Sequence, residues 1–297
     1  MAVATEQQNL DLREPKGWRR TSNRIMTWLM VIAFVLVLVP LGFVLVTTVA
    51  KGISIISWQF LTGSPIPPNV LPANIGGMWP AVLGTLEITA LATVLAVPLG
   101  ILGAIYLNEY GGRNWLAALI GFMSDVMTGV PSIVMGLFIF SIWVLHFGFS
   151  GLAGAFALGC LMLPIVIRST YEMLRLVPNA LREGSYALGA TKSRVTLTVV
   201  LPAAVGGIVS GVLLAIARAA GETAPLLFTI LTVTSANTNV FSGPNTSLPS
   251  QIFANANSPF VGAQARGWGA ALTLIVIAFV LMIVARFITA RFSRFSR

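Results

Sequence analysis

Apolar residues come in long runs along this chain, separated by shorter polar segments that hold most of its charges. Runs of about 20 apolar residues match the thickness of a bilayer core, and a chain in that solvent satisfies its own backbone by forming helices. The pattern predicts about six spans: Ile25 to Ala50, Trp79 to Leu107, Pro131 to Phe147, Gly151 to Ile167, Val199 to about Val233, and Trp268 to Ile288. Trp115 to Gly129 reads as an extra helix leading into the third span, because Asp125 and the Gly129–Pro131 break interrupt a longer run. The region 198–233 exceeds one upright crossing, so a tilt or a break near Pro225 is expected. The fold class is all-α and polytopic, with a polar tail over 1–24 and one transmembrane domain over 25–297.

Composition supports this class: 56% of the 297 residues are hydrophobic and 9% charged, against about 25% charged in a soluble domain. The net charge of +9 does not form one basic face with interleaved aromatics, which argues against nucleic acid. Instead the cations gather at span ends. Arg13, Lys16, Arg19, Arg20 and Arg24 precede the first span. Arg168, Arg175, Arg182, Lys192 and Arg194 lie between the fourth and fifth, and Arg286, Arg291, Arg294 and Arg297 close the chain. Both termini and that loop are then expected on the cytoplasmic side. Lys51 and Arg266 are the cations of the opposite side, in segments rich in Pro, Asn, Ser and Gly that read either as turn-rich loops or as contacts for an outside partner. The polar start followed by a long apolar run reads as an uncleaved anchor.

Several chemistries are excluded. Cys160 and His146 are single residues of their kind, so an internal disulfide is impossible, a Cys/His metal cluster is untenable, and no catalytic triad can be built. The stretch GSYALGATKS, Gly184 to Ser193, mimics a phosphate-binding loop, but Ala190 and Thr191 separate its second glycine from Lys192. The chain is read as a membrane protein without catalytic residues or a bound cofactor.

Two stretches carry specific chemistry. EGSYALGATKSRVTLTVVLP, Glu183 to Pro202, is amphipathic and leads into a span; it is either a docking element or an interfacial helix on lipid headgroups. In IARAAGETAPLLFT, Ile216 to Thr229, Arg218 and Glu222 stand inside an apolar run. Counted as a helix, Ala204, Gly207, Gly211, Ala215, Arg218, Glu222, Pro225 and Thr229 share one stripe. Its small residues admit a neighbouring helix. The charged pair is either structural, bonded along the helix, or an anion site in which the guanidinium grips phosphate or carboxylate. Intramembrane ionisable groups are functional candidates by default. Pro131 and Ser132 open the third span as an anion-favouring helix start or as a plain cap. Arg168 either guides an anion toward the cytoplasm or simply sets topology.

The Glu183 to Pro202 stretch resembles the cytoplasmic loop of ATP-binding-cassette importer permeases, in the placing of Glu183, Gly184-Ser185, Gly189, Val199 and Leu201-Pro202, with Gly-Ser where that family usually has Ala-Ala. The resemblance implies the type I importer permease fold, with a coupling helix at about 178–202 seated on a separate ATPase dimer that binds ATP and Mg. It also implies that Glu183 fixes the helix by local pairing, that Ala187 and Gly189 allow close approach, and that Leu201 and Pro202 help set the start of the fifth span.

ARAAGETAPLLFT further resembles the fifth-span signature of phosphate-specific permeases of the A-subunit type, as TGVPSIVMGL (Thr128 to Leu137) resembles their third-span entry and SLPSQIF (Ser247 to Phe253) their outer loop. This likeness implies phosphate import across a bacterial inner membrane by a heterodimer with a C-type permease, two ATPase copies and an extracytoplasmic phosphate-binding protein. Arg218 would contact phosphate, with Thr223 and Pro225 in the pathway. Glu222 would hold Arg218 between substrates or accept a hydrogen bond from protonated phosphate. Permeases for sulfate or molybdate share the loop, and a gradient-driven transporter or channel is the reading from another class.

Overall fold

The computed structural model describes residues 17–66, 76–112 and 114–293; Arg13, Lys16, Arg294 and Arg297 lie outside them. The chain divides into two units, Met1–Val49 and Ala50–Arg297. The first enters the described residues as one helix, α1 (Trp18–Gly52), whose last turn belongs to the second. The second contains α2 (Trp58–Thr62), α3 (Trp79–Tyr110), α4 (Trp115–Gly129), α5 (Ser132–Phe147), α6 (Gly151–Arg175), α7 (Asn179–Ala187), α8 (Lys192–Ala220), α9 (Leu226–Thr229), α10 (Leu248–Ala256) and α11 (Val261–Ser293). Among the described residues the sole β pairing is a bridge between Pro65 and Gly76.

Among the described residues, five helices are long and apolar enough to cross a membrane, and six spans result if α4 and α5 count as one. Those two meet at 108° across the Gly129–Pro131 break, where the residue before proline is pushed out of the helical region; Val130 is extended, at ψ 127°. The bent pair is the extra helix and third span that the sequence predicts.

The centre is built by small residues. Ala81, Gly84, Ile88, Ala92, Ala96, Gly100 and Ala104 recur at three- and four-residue spacing along α3, and all are buried. They form a stripe that lets α6 approach closely: a Cβ on Gly100 would lie 2.6 Å from Val166. Apolar tails of lipid solvate leucine as well as protein does, so such packing, rather than escape from water, holds membrane helices together. Ala155, Leu158, Met162 and Val166 of α6, Ala215 and Ala219 of α8, and Leu226 of α9 complete this core. Gly207 and Gly211 of α8 lie against Met173 and Ser169 of α6, as the small-residue stripe requires.

Three boundaries differ from the sequence reading. The fourth span does not stop at Ile167; α6 runs on to Arg175, so Arg168 sits inside it. The fifth does not start at Val199, because α8 begins seven residues earlier at Lys192, behind Thr191. Its turn Thr196–Val200 is a π-turn, in which the Leu201 N–H donates to the carbonyl of Thr196. This wider turn stands immediately ahead of Pro202, whose ring would otherwise press on the carbonyl four residues back. At the other end, α8 stops at Ala220 and the chain restarts as α9 behind Pro225. A proline at 225 cannot donate to Gly221 and disfavours helix at Ala224, so the predicted break is a full interruption. The stripe counted through 203–233 is therefore helical only as far as Ala220.

The stretch from Ser247 onward is more ordered than a loop. SLPSQIF contains a helix, α10, entered through a capping box in which Ser247 and Ser250 bond each other's backbone N–H. Leu248 N–H donates to Thr85 Oγ1 of α3 at 2.8 Å, and Arg266, read from sequence as a loop cation, is a buried member of α11. Its Nε and Nη2 donate to Asn255 Oδ1 at 3.2 and 3.1 Å and its Nη1 to the carbonyl of Ile66 at 2.6 Å.

Candidate functional site

Arg218 lies in the last turn of α8, where the negative end of the helix dipole favours a cation. The two carbonyls that the ended helix leaves there are satisfied by the turn itself, with Gly221 N–H on Arg218 O and Glu222 N–H on Ala219 O. The same turn swings Glu222 back so that Arg218 Nε donates to its Oε1 at 3.5 Å. The contact is long, and it engages only the inner edge of the guanidinium. Neither Nη of Arg218 has a hydrogen-bond partner among the described residues, and its side chain is 67% exposed against 21% for Glu222. A half-covered carboxylate thus steadies the arginine from behind while the fork used for bidentate anion binding stays open. By count Arg218 shares the face of Gly207 and Gly211, yet it emerges from the contact with α6 that those glycines make.

Thr223 and Pro225 build the corner rather than present side chains to Arg218. Thr223 O accepts from Leu226 and Leu227 N–H, standing in for a helix cap. Pro225 is buried, and its backbone abuts Gly136 of α5 so closely that a Cβ there would lie 2.6 Å from Pro225 Cα. Pro131 occupies the position before α5, and no side chain caps that helix; Ser132 is its first residue and half-buried. The structure therefore joins α5 to the interruption below Arg218 by direct backbone contact.

Arg168 belongs to a second place. Its Nη2 lies 3.2 Å from Asp125 Oδ1 of α4, with both side chains more than half exposed. They open onto a cavity of about 620 Å³ lined also by Asn114, Ser124 and Tyr171. Arg168 and Arg218 stand on different helices and share no partner.

Ahead of the Lys192 end of α8, α7 projects with Glu183, Ala187 and Gly189 exposed and Leu188 at 89% exposure. Glu183 makes no hydrogen bond or ion pair among the described residues, so the local pairing expected of it falls to its neighbour. Arg182 donates to the carbonyls of Val177 and Leu174, to Asn179 Oδ1, and to Glu109 Oε1 at the end of α3. Gly189 serves the backbone: at φ +79° it ends α7, its N–H bonding Tyr186 O while Ala190 N–H bonds Ser185 O. That paired pattern needs a left-handed residue, for which glycine has no steric cost. A Cβ on Gly189 would meet nothing within 4 Å.

Sequence reasoning missed Glu109 and Glu87. Glu87 sits in α3 beside buried Asn245, and its buried Oε2 and the Asn245 Nδ2 interact without closing to a hydrogen bond of good geometry. The rule that singled out Arg218, an ionisable group inside an apolar span, applies equally to Glu87.

Comparison with known proteins places this geometry. Residues 96–294 match the family model described as binding-protein-dependent transport system inner membrane component. The phosphate transport system permease protein PstA of Yersinia pestis is 44% identical over 94% of both chains. Its namesake in Haemophilus influenzae is 40% identical over 91% of this chain and 94% of its own. A solved bacterial alginate ABC transporter shares the fold at TM-score 0.65 and 12% identity, over 93% of this chain and 98% of its own. The MetNI methionine ABC transporter does so at 0.56 and 16%, over 73% and 94%. The all-α architecture is that of the type I ABC importer permeases.

Proposed function

Because the chain belongs to the family of binding-protein-dependent transport system inner membrane components, we propose that it is the permease subunit of an ATP-driven importer carrying inorganic phosphate into the cytoplasm. It is a multi-pass membrane protein. The relatives named as phosphate permeases, similar over nearly their full length, support the substrate. The observation that carries the mechanism is the unpaired fork of Arg218 beside an interrupted helix. Phosphate docks on the two Nη groups, and Glu222 holds the Nε edge between passages. The interruption at Gly221 to Pro225, with irregular backbone at membrane depth, faces protein or water rather than lipid. Arg168 receives the anion on the cytoplasmic side, where Asp125 takes its place when it has left. The start of α5, where Pro131 precedes the helix and Ser132 supplies its first N–H, favours an anion.

Energy comes from outside this chain. A dimeric ATPase, with ATP and Mg, docks on α7 through the exposed face that carries Glu183, Ala187 and Gly189, and Leu201 and Pro202 continue that surface into α8. An extracytoplasmic binding protein delivers phosphate, and a second, C-type permease completes the pathway. Both termini and α7 lie in the cytoplasm, as the cation pattern requires.

The test is radiolabelled phosphate uptake, with sulfate as control, in cells lacking their own importer and carrying the assembled complex. Wild type takes up phosphate but not sulfate, and Arg218→Gln at matched membrane levels takes up neither. Normal transport by the variant would make the charged pair structural, and sulfate uptake without phosphate uptake would overturn the substrate.

A further inference from the structure

If α7 receives the ATPase, something must carry its displacement into the membrane. No residue of α7 is buried, so side-chain packing holds it weakly. Arg182 is the one side chain of α7 that hydrogen-bonds, among the described residues, beyond its own helix. Its Nη1 donates to Val177 O at 2.5 Å and Asn179 Oδ1 at 3.2 Å, its Nη2 to Leu174 O at 2.9 Å and Glu109 Oε1 at 3.1 Å. Leu174 is in the last turn of α6, Asn179 is the first residue of α7, and Glu109 belongs to the π-turn that ends α3. Asn108 Nδ2 donates to the same Glu109 oxygen at 2.8 Å and fixes the carboxylate.

One planar guanidinium therefore ties three elements together, and the ion pair is nearly closed to solvent, with Arg182 13% and Glu109 5% exposed. Buried ion pairs contribute little net stability, since desolvation offsets attraction, but removing one partner strands the other charge. What such a pair supplies is direction. Arg182 can satisfy four acceptors only in one placement of α7 against α3 and α6. Downstream, the glycine-ended turn at Gly189 stands in open space and imposes no comparable bond. We infer that Arg182 and Glu109 are positioning residues through which a push on α7 moves the cytoplasmic ends of α3 and α6. This rests on the proposed docking of α7 on an ATPase.

The complete importer, reconstituted in proteoliposomes with its binding protein, allows phosphate accumulated and ATP hydrolysed to be counted in one sample. Arg182→Gln keeps hydrolysis and lowers phosphate moved per ATP about fivefold or more, the lower range of a coupling between sites. Glu109→Gln lowers the ratio less, because its amide oxygen still accepts from Nη2, and Arg182→Lys falls between wild type and Arg182→Gln. A ratio unchanged in Arg182→Gln overturns the inference. So does a parallel loss of hydrolysis and uptake at constant ratio, which marks a merely structural role. Should Arg182→Gln not assemble, the ratio in Glu109→Gln decides in the same way. A wild-type complex that moves no phosphate when ATP is supplied instead overturns the importer reading.

Discussion

Replacing Gly136 with alanine tests the joint between α5 and the corner below Arg218. The added methyl would lie 2.6 Å from Pro225 Cα and 2.9 Å from Pro225 O, whereas unstrained carbon contacts sit at about 3.5–4.0 Å. The obstruction is backbone on both sides, so no rotamer change relieves it. Pro225 is also held, since its φ is fixed by the ring and its carbonyl accepts from Thr229 Oγ1 at 2.9 Å. Helix α5 and the Gly221–Pro225 corner must then part by about 1 Å, a displacement of the size produced by overpacking, which costs about 1–3 kcal/mol. Because about 1.4 kcal/mol is a factor of ten in an equilibrium, the packed arrangement becomes about tenfold rarer. Phosphate uptake in cells and thermal unfolding of the purified complex are read side by side. Gly136→Ala lowers both while the complex assembles. Gly42→Ala, whose methyl would meet nothing within 4 Å on α1, leaves uptake unchanged and helps its helix slightly. Wild-type uptake and melting in Gly136→Ala would refute the contact as a functional joint.

Other consequences follow from the outer and inner polar contacts. Thr85→Val removes the acceptor of Leu248 N–H and leaves a buried donor unsatisfied, destabilising the complex by about 1–3 kcal/mol in thermal unfolding, while Thr85→Ser stays close to wild type. Asn255→Leu strips two of the contacts of the buried Arg266 and costs about 1.5–3 kcal/mol, seen as loss of folded protein in detergent. Asp125→Asn breaks an exposed ion pair, so melting moves by no more than about 1 kcal/mol. Uptake nonetheless falls, because Arg168 no longer meets a carboxylate that can displace phosphate; unaltered uptake counts against an exit role for Arg168.

Spans and interruptions were legible because bilayer length and proline are read locally. Pro131 and Pro225 mark breaks, although Pro40, Pro98 and Pro164 are carried inside α1, α3 and α6 without one. Helix ends were less legible. Apolar length reports where lipid stops, whereas α6 continues through Arg168 to Arg175 because a helix that leaves lipid has no reason to end there. Pro202 misled in the opposite sense, since proline commonly opens a helix, but here Lys192 to Val200 is already wound. The helix α10 was masked by a composition that reads as turn, although Ser247 and Ser250 carried its capping signal. Arg218 with Glu222 could be found because four residues separate them. Arg182 with Glu109 could not, since they stand 73 positions apart and only tertiary structure brings them together.

The π-turn at Thr196–Val200 has a consequence for the phase of the chain. A π-turn holds one residue more than the α-turn it replaces, and each residue advances a helix by about 100°. Deleting one residue there would let α8 wind as an uninterrupted α-helix, with the docking loop and the small-residue stripe both unaltered in composition. Everything beyond the deletion would keep its azimuth, Arg218 included, because the wider turn takes up its extra residue within one revolution, whereas a residue lost from the regular part of α8 would turn Arg218 by about 100°. The turn at Thr196–Val200 is thus a place, some twenty residues before Arg218, where the chain can lose a residue without turning that side chain.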